Sequence, residues 1–200
     1  MGQYYFLAAQ LPYLVYGQVQ PMSSDAFRAM ARAAMSSADA AALDYCTLDP
    51  FVAAPAPESG FFMGAPPPST GAGSNPPVHS AFINKWREWE QALRLNLAGG
   101  RLQKLKRDGA AADAPDSPVE AAAAAKNALA MESPLEAELY LDKARWNAIE
   151  GFQGLSTFSE DAMYAYLLKL LLMERKAAFN TEEGYTEYER LYSAILGEAK

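Results

Sequence analysis

Ser80-Ala81-Phe82-Ile83-Asn84-Lys85-Trp86-Arg87-Glu88-Trp89-Glu90-Gln91-Ala92-Leu93-Arg94-Leu95-Asn96-Leu97 is the stretch that decides the fold class. Phe82, Trp86, Trp89, Leu93 and Leu97 recur at intervals of four, three, four and four, which is one apolar stripe on an α-helix and no pattern for a strand. Glu90 and Arg94 stand four apart in the order that favours a helical ion pair. Gly99-Gly100 is expected to end or bend this helix, with Leu102 and Leu105 on a further short turn before Asp108-Gly109.

The chain around this stretch reads in the same way. Ser23-Ser24-Asp25 offers cap chemistry for a helix running to about Met35. Ser36-Ser37 does so for a second, carrying Leu43 and Tyr45. Residues 118–131 form an alanine-rich helix of high propensity, from which a small core contribution is expected. Ser133-Pro134 opens another, with proline at the permitted first position and Leu135, Leu139, Trp146 and Ile149 on one side. Gly151 and Gly154 separate it from residues 156–179. Thr181 caps a last helix with Tyr185, Tyr188, Tyr192 and Ile195. In residues 159–179, Met163, Tyr164, Tyr166, Leu167, Leu168, Leu170, Leu171, Leu172 and Met173 leave only Lys169 polar over two to three turns, as expected of a central helix buried on all sides. The expectation is an all-α, irregular bundle of about seven helices. Residues 1–49 hold N-terminal helices and belong with the bundle of residues 80–200.

Between them, residues 50–79 carry eight of the thirteen prolines with Gly60, Gly64, Gly71 and Gly73. Such a segment neither continues a helix nor completes a ladder, so it reads as a long loop with Phe61-Phe62-Met63 as a possible anchor. Residues 110–118 read as a second, shorter linker.

Composition bounds the function. Two hundred residues, half hydrophobic and a fifth charged, suit one globular domain that needs no staple. A single cysteine, Cys46, allows no internal disulfide and fits a reducing compartment. The apolar N-terminus lacks the basic residues of a signal peptide, and Phe6 stands where myristoylation wants Ser or Thr. The expectation is a soluble, cytoplasmic protein. Tyr4, Tyr5, Phe6 and Tyr13 make the terminus too apolar to be left loose, so burial in the fold or against a partner is expected.

No catalytic, metal or cofactor constellation emerges. His79 is a lone histidine beside the proline-rich segment, whereas metal sites and triads need several converging groups. Cys46 beside Tyr45 reads as a small core residue. Glu160-Asp161, Glu182-Glu183 and Glu136 with Glu138 lie near helix starts, where they favour the dipole. Gly71 and Gly73 have neither the preceding strand nor the third glycine of a phosphate loop.

The net charge of −7 is unevenly spread. Residues 85–107 hold seven bases against two acids, and residues 108–200 seventeen acids against eight bases. The plain reading of the basic segment is a solvated face. The sharper one makes Arg94, Arg101, Lys104, Lys106 and Arg107 a contact face for an acidic protein, or less readily for nucleic acid. The aromatic residues sit on the apolar stripe rather than among the bases, which disfavours single-strand stacking.

Three stretches together resemble a known family: Gln3-Tyr4-Tyr5-Phe6-Leu7 with Leu11-Pro12; Trp86 through Leu93-Arg94 to Asn96-Leu97-Ala98; and Tyr166-Leu167-Leu168-Lys169-Leu170 with Glu174-Arg175. They are similar to small bacterial proteins encoded beside V/A-type ATPase genes, which in turn resemble the funnel-shaped helical adaptor of those rotary machines. That adaptor is longer and has no counterpart of the proline-rich segment. The resemblance implies a non-catalytic, cofactor-free adaptor or assembly protein of the complex. Its partners would be the rotor ring and central stalk, and it would meet the membrane only through that complex. A small nucleic-acid-binding helical protein is the alternative.

Overall fold

A computed structural model describes residues 4–49, 78–105, 118–178 and 190. Among the described residues there are seven α-helices and one 3-10 turn, and no strand. The proline-rich segment, the linker before Pro118 and the helix expected after Thr181, apart from Arg190, lie outside them.

The helices are α1 (Tyr5–Gln10), α2 (Ser24–Ala34), α3 (Ser37–Ala42), α4 (Ala81–Lys104), α5 (Val119–Ala130), α6 (Pro134–Gln153) and α7 (Glu160–Ala177), with the 3-10 turn Leu43–Tyr45 after α3. Five of them start on a serine. Ser23, Ser36, Ser80, Ser133 and Ser159 accept hydrogen bonds from the backbone N–H groups of Ala26, Asp39, Ile83, Glu136 and Ala162. Each satisfies one of the orphan amides of a first turn, an interaction whose loss to alanine typically costs about 1 kcal/mol.

Helix α7 is the centre. Met163, Tyr164, Ala165, Leu167, Leu168, Leu170, Leu172 and Met173 are all buried, because α2, α4 and α6 pack around it. Helices α4 and α5 form the closest pair, and α6 touches both. One continuous apolar core joins residues 4–49 to the later helices. Polar groups fasten that junction: the Trp86 indole N–H donates to the Thr47 carbonyl (3.0 Å), the Tyr166 hydroxyl to the Pro12 carbonyl (2.9 Å), and both the backbone N–H and the hydroxyl of Ser24 to Glu174 (2.6 and 2.7 Å).

Three expectations need correction. Gly99-Gly100 does not end α4, which runs on to Lys104. A Cβ on Gly100 would stand 2.2 Å from the Leu129 Cδ1 atom, so the glycine permits close approach of α5, and packing there overrides its low helix propensity. Helix α5 is also no bystander. Ala121, Ala124, Ala125 and Ala128 are all buried, and their small side chains are what bring the α5 backbone close to α4. On α6 the buried face comprises Leu141, Asp142, Arg145, Trp146, Ala148 and Ile149, while Leu135 is exposed. The apolar N-terminus is divided: Tyr4, Leu7 and Leu14 are buried, but Tyr5, Phe6 and Tyr13 face outward.

The close α4–α5 contact makes a paired prediction. Ala125→Leu overfills it and is expected to cost about 1–3 kcal/mol. Ala123→Leu, on the exposed face of the same helix, should leave the urea midpoint nearly unchanged. Equal midpoints for the two variants would refute this account of α5.

Candidate functional site

The polar centre of the bundle is a chain of side chains whose charges alternate in sign. Asp49, Arg94, Glu90, Arg145, Asp142, Arg175 and Glu138 follow one another from the segment after the 3-10 turn through α4 and α6 to α7 and back to α6. Its middle is buried: Glu90 and Asp142 are fully so and Arg145 is 3% exposed. The Arg145 guanidinium grips Glu90 side-on, Nε to Oε2 at 2.9 Å and Nη2 to Oε1 at 3.1 Å, and donates from Nη1 to Asp142 Oδ1 at 3.0 Å. Arg94 Nε adds a bond to Glu90 Oε1 at 2.9 Å and extends from Nη2 to the Leu48 carbonyl at 2.7 Å. Arg175 holds Glu138 at 2.9 Å and stands 3.8 Å from Asp142.

The electrostatics follow from this geometry. Burial alone would depress the Arg145 guanidinium, but Glu90 and Asp142 hold it above its ordinary value. Burial pushes the Asp142 carboxyl up, and Arg175 and Arg145 offset only part of that. Asp142 Oδ2 has no hydrogen-bond partner among the described residues, so the carboxylate is satisfied on one oxygen only.

The sequence singled out five cations as a contact face, and the structure separates them. Arg94 is half-buried and turned into the ion chain. Lys104 reaches across to the Leu129 carbonyl near the end of α5, where a cation favours the helix dipole. Arg101 is exposed on the last turns of α4. Lys106 and Arg107 lie outside the described residues. Sequence reasoning read Glu90–Arg94 as a local pair and missed Arg145, Asp142 and Arg175. A signal was available: Glu90 lies four residues after Trp86 and one after Trp89, on the apolar stripe itself, and a charge there has to find a counter-charge inside the fold.

The other singled-out residues take structural places. Cys46 is fully buried, its thiol directed at the Ala42 carbonyl and its pKa pushed up by burial. His79 is exposed at the rim of a cleft of about 390 Å³ that Asp39, Tyr45, Glu160 and Tyr164 also line. There Asp39 accepts hydrogen bonds from Tyr4 and Ser36, and burial keeps the Tyr164 phenol protonated. Among the described residues no three His, Cys, Asp or Glu side chains converge as a metal site, and no helix is long and apolar enough to cross a membrane. Compared with protein-family models, curated proteins and solved structures, the chain matches none.

The raised Asp142 pKa has a definite sign. A carboxyl whose folded value lies above its unfolded value binds its proton more tightly in the native state. Its stabilising contribution is therefore full below about pH 4, the ordinary aspartate range, and is lost as pH rises through the folded value. The stability of the wild type relative to Asp142→Asn should accordingly fall as pH rises above about 4. Urea unfolding at matched pH values checks this, and an advantage that grows with pH would contradict it.

Proposed function

We propose that this chain is a non-catalytic structural, coupling or assembly subunit of a bacterial V/A-type rotary ATPase. The observation that carries the proposal is the resemblance of its three blocks, taken with where those blocks lie. The first contributes Tyr5–Leu7 to the start of α1, the second lies in the middle of α4 and the third in the later part of α7. They meet in the core: Tyr4 and Leu7, Trp86 and Leu93, and Leu167, Leu168 and Leu170 belong to one apolar cluster. Arg94 and Arg175 stand at the two shoulders of the ion chain, each pairing with a buried acid. Part of each block thus contributes to one packed core, while Tyr5 and Phe6 of the first face outward.

An adaptor of this kind transmits force through packed interfaces and needs no bond chemistry. A bundle whose three long helices are tied by a desolvated ion chain suits that role, because such a chain is disrupted by any slippage of one helix against another. An acidic partner would find an exposed cation at Arg101, since Arg94 is engaged internally.

Affinity purification of the tagged chain from its native membranes under mild extraction is the test. Recovery with the rotor and stalk proteins of a V/A-type ATPase is expected. Repeated recovery without any of them would sink the proposal.

A further inference from the structure

The face built from α1 and the α6–α7 turn is largely apolar and aromatic, and the one charged side chain lining its cleft, Lys169, is neutralised by Glu150. Tyr5 touches Phe158 with ring centroids 5.1 Å apart, and Phe6 meets Tyr5 edge-on at 5.9 Å. The Tyr4 backbone N–H donates to the Phe158 carbonyl at 3.0 Å, which fixes the turn against α1. Beside them is an open cleft of about 240 Å³, lined by Ala8, Leu11, Pro12, Tyr13, Met163 and Tyr166, with Lys169 also at its wall. Lys169 is already paired with Glu150 at 3.3 Å. Phe6 is 82% exposed, Tyr13 89% and Leu155 fully so, a concentration of free apolar surface that is unusual on a monomer.

Two quantities point to the occupant. The first is charge. Residues 1–24 and 154–159 contain no Asp, Glu, Lys, Arg or His, in a chain of net charge −7. Two copies can meet on this face without opposing like charges, whereas an anionic surface would be repelled by the rest of the molecule. The second is area. The exposed parts of Tyr5, Phe6, Tyr13, Leu155 and Phe158 amount to roughly 700 Å² at about 200 Å² per large side chain, close to the ~800 Å² per partner of a stable interface. A two-fold contact also requires a surface that complements itself. Projecting rings and an open apolar cleft on one face supply both halves.

We infer that this face joins two copies of the chain in an isologous dimer, with the aromatic projections of each copy seated against the cleft of the other. The inference is independent of the ATPase proposal. Sedimentation velocity on the full chain is expected to show a monomer–dimer equilibrium at micromolar concentration. Phe6→Asp and Leu155→Asp, both at exposed positions, should each weaken it at least about tenfold with an unchanged far-UV circular dichroism spectrum. A wild type that stays monomeric to about 100 μM overturns the inference. So does a dimer that neither substitution weakens. Monomeric protein that floats with phosphatidylcholine vesicles, and loses that binding on Phe6→Asp, also overturns it by assigning the face to lipid.

Discussion

Arg145 is a permanently charged side chain inside an apolar core, and the arrangement of the long helices answers to it. A guanidinium cannot shed its proton to escape burial, as an acid or a lysine can. Counter-charges therefore have to be delivered to it. Asp142 comes from the same helix, three residues earlier, but Glu90 comes from α4 across the bundle. Helix α6 must then face α4 at the level of Glu90, because a rotation of one residue about either axis would break the two-bond contact between Glu90 and Arg145, leaving each buried charge with only its partner on its own helix. Arg175 carries the same constraint into α7. The apolar residues supply most of the driving force, yet a Leu- and Ala-rich interface tolerates several registers. The ion chain distinguishes among them.

Legibility in the sequence follows the range of each interaction. Helix starts were readable because a serine cap acts on an amide three residues away. The α4 stripe and the apolar belt of α7 were readable because periodicity is local. The path of α4 through Gly99-Gly100 was not, since the reason for it is Leu129 on another helix. The role of α5 was hidden for the same reason: Ala121, Ala124, Ala125 and Ala128 bury little area each, and their value lies in the close approach they allow to a neighbour that sequence cannot place. The ion chain was half visible. Glu90–Arg94 and Asp142–Arg145 are intrahelical spacings, but their union across 55 residues is tertiary.

The N-terminus shows how two demands share one segment. Tyr4, Leu7 and Leu14 anchor it in the core, and Tyr4 adds hydrogen bonds to Asp39 and Ser36. The alternate residues Tyr5, Phe6 and Tyr13 then have no interior left to enter. An uncharged segment can serve both an inner core and an outer apolar contact without desolvating an ion at either. The charges of the molecule are concentrated elsewhere, and those of the ion chain point inward.

The central claim is that Glu90 and Arg145 act as one unit in holding α4 to α6. A double-mutant cycle on Glu90→Met and Arg145→Met, read by denaturant unfolding, tests it most directly. Each single change is expected to cost about 3–5 kcal/mol, because it removes the cross-bundle partner of a buried charge. The double change should cost much less than their sum, with a coupling of about 2 kcal/mol or more. Additivity of the two changes within about 0.5 kcal/mol would contradict the account.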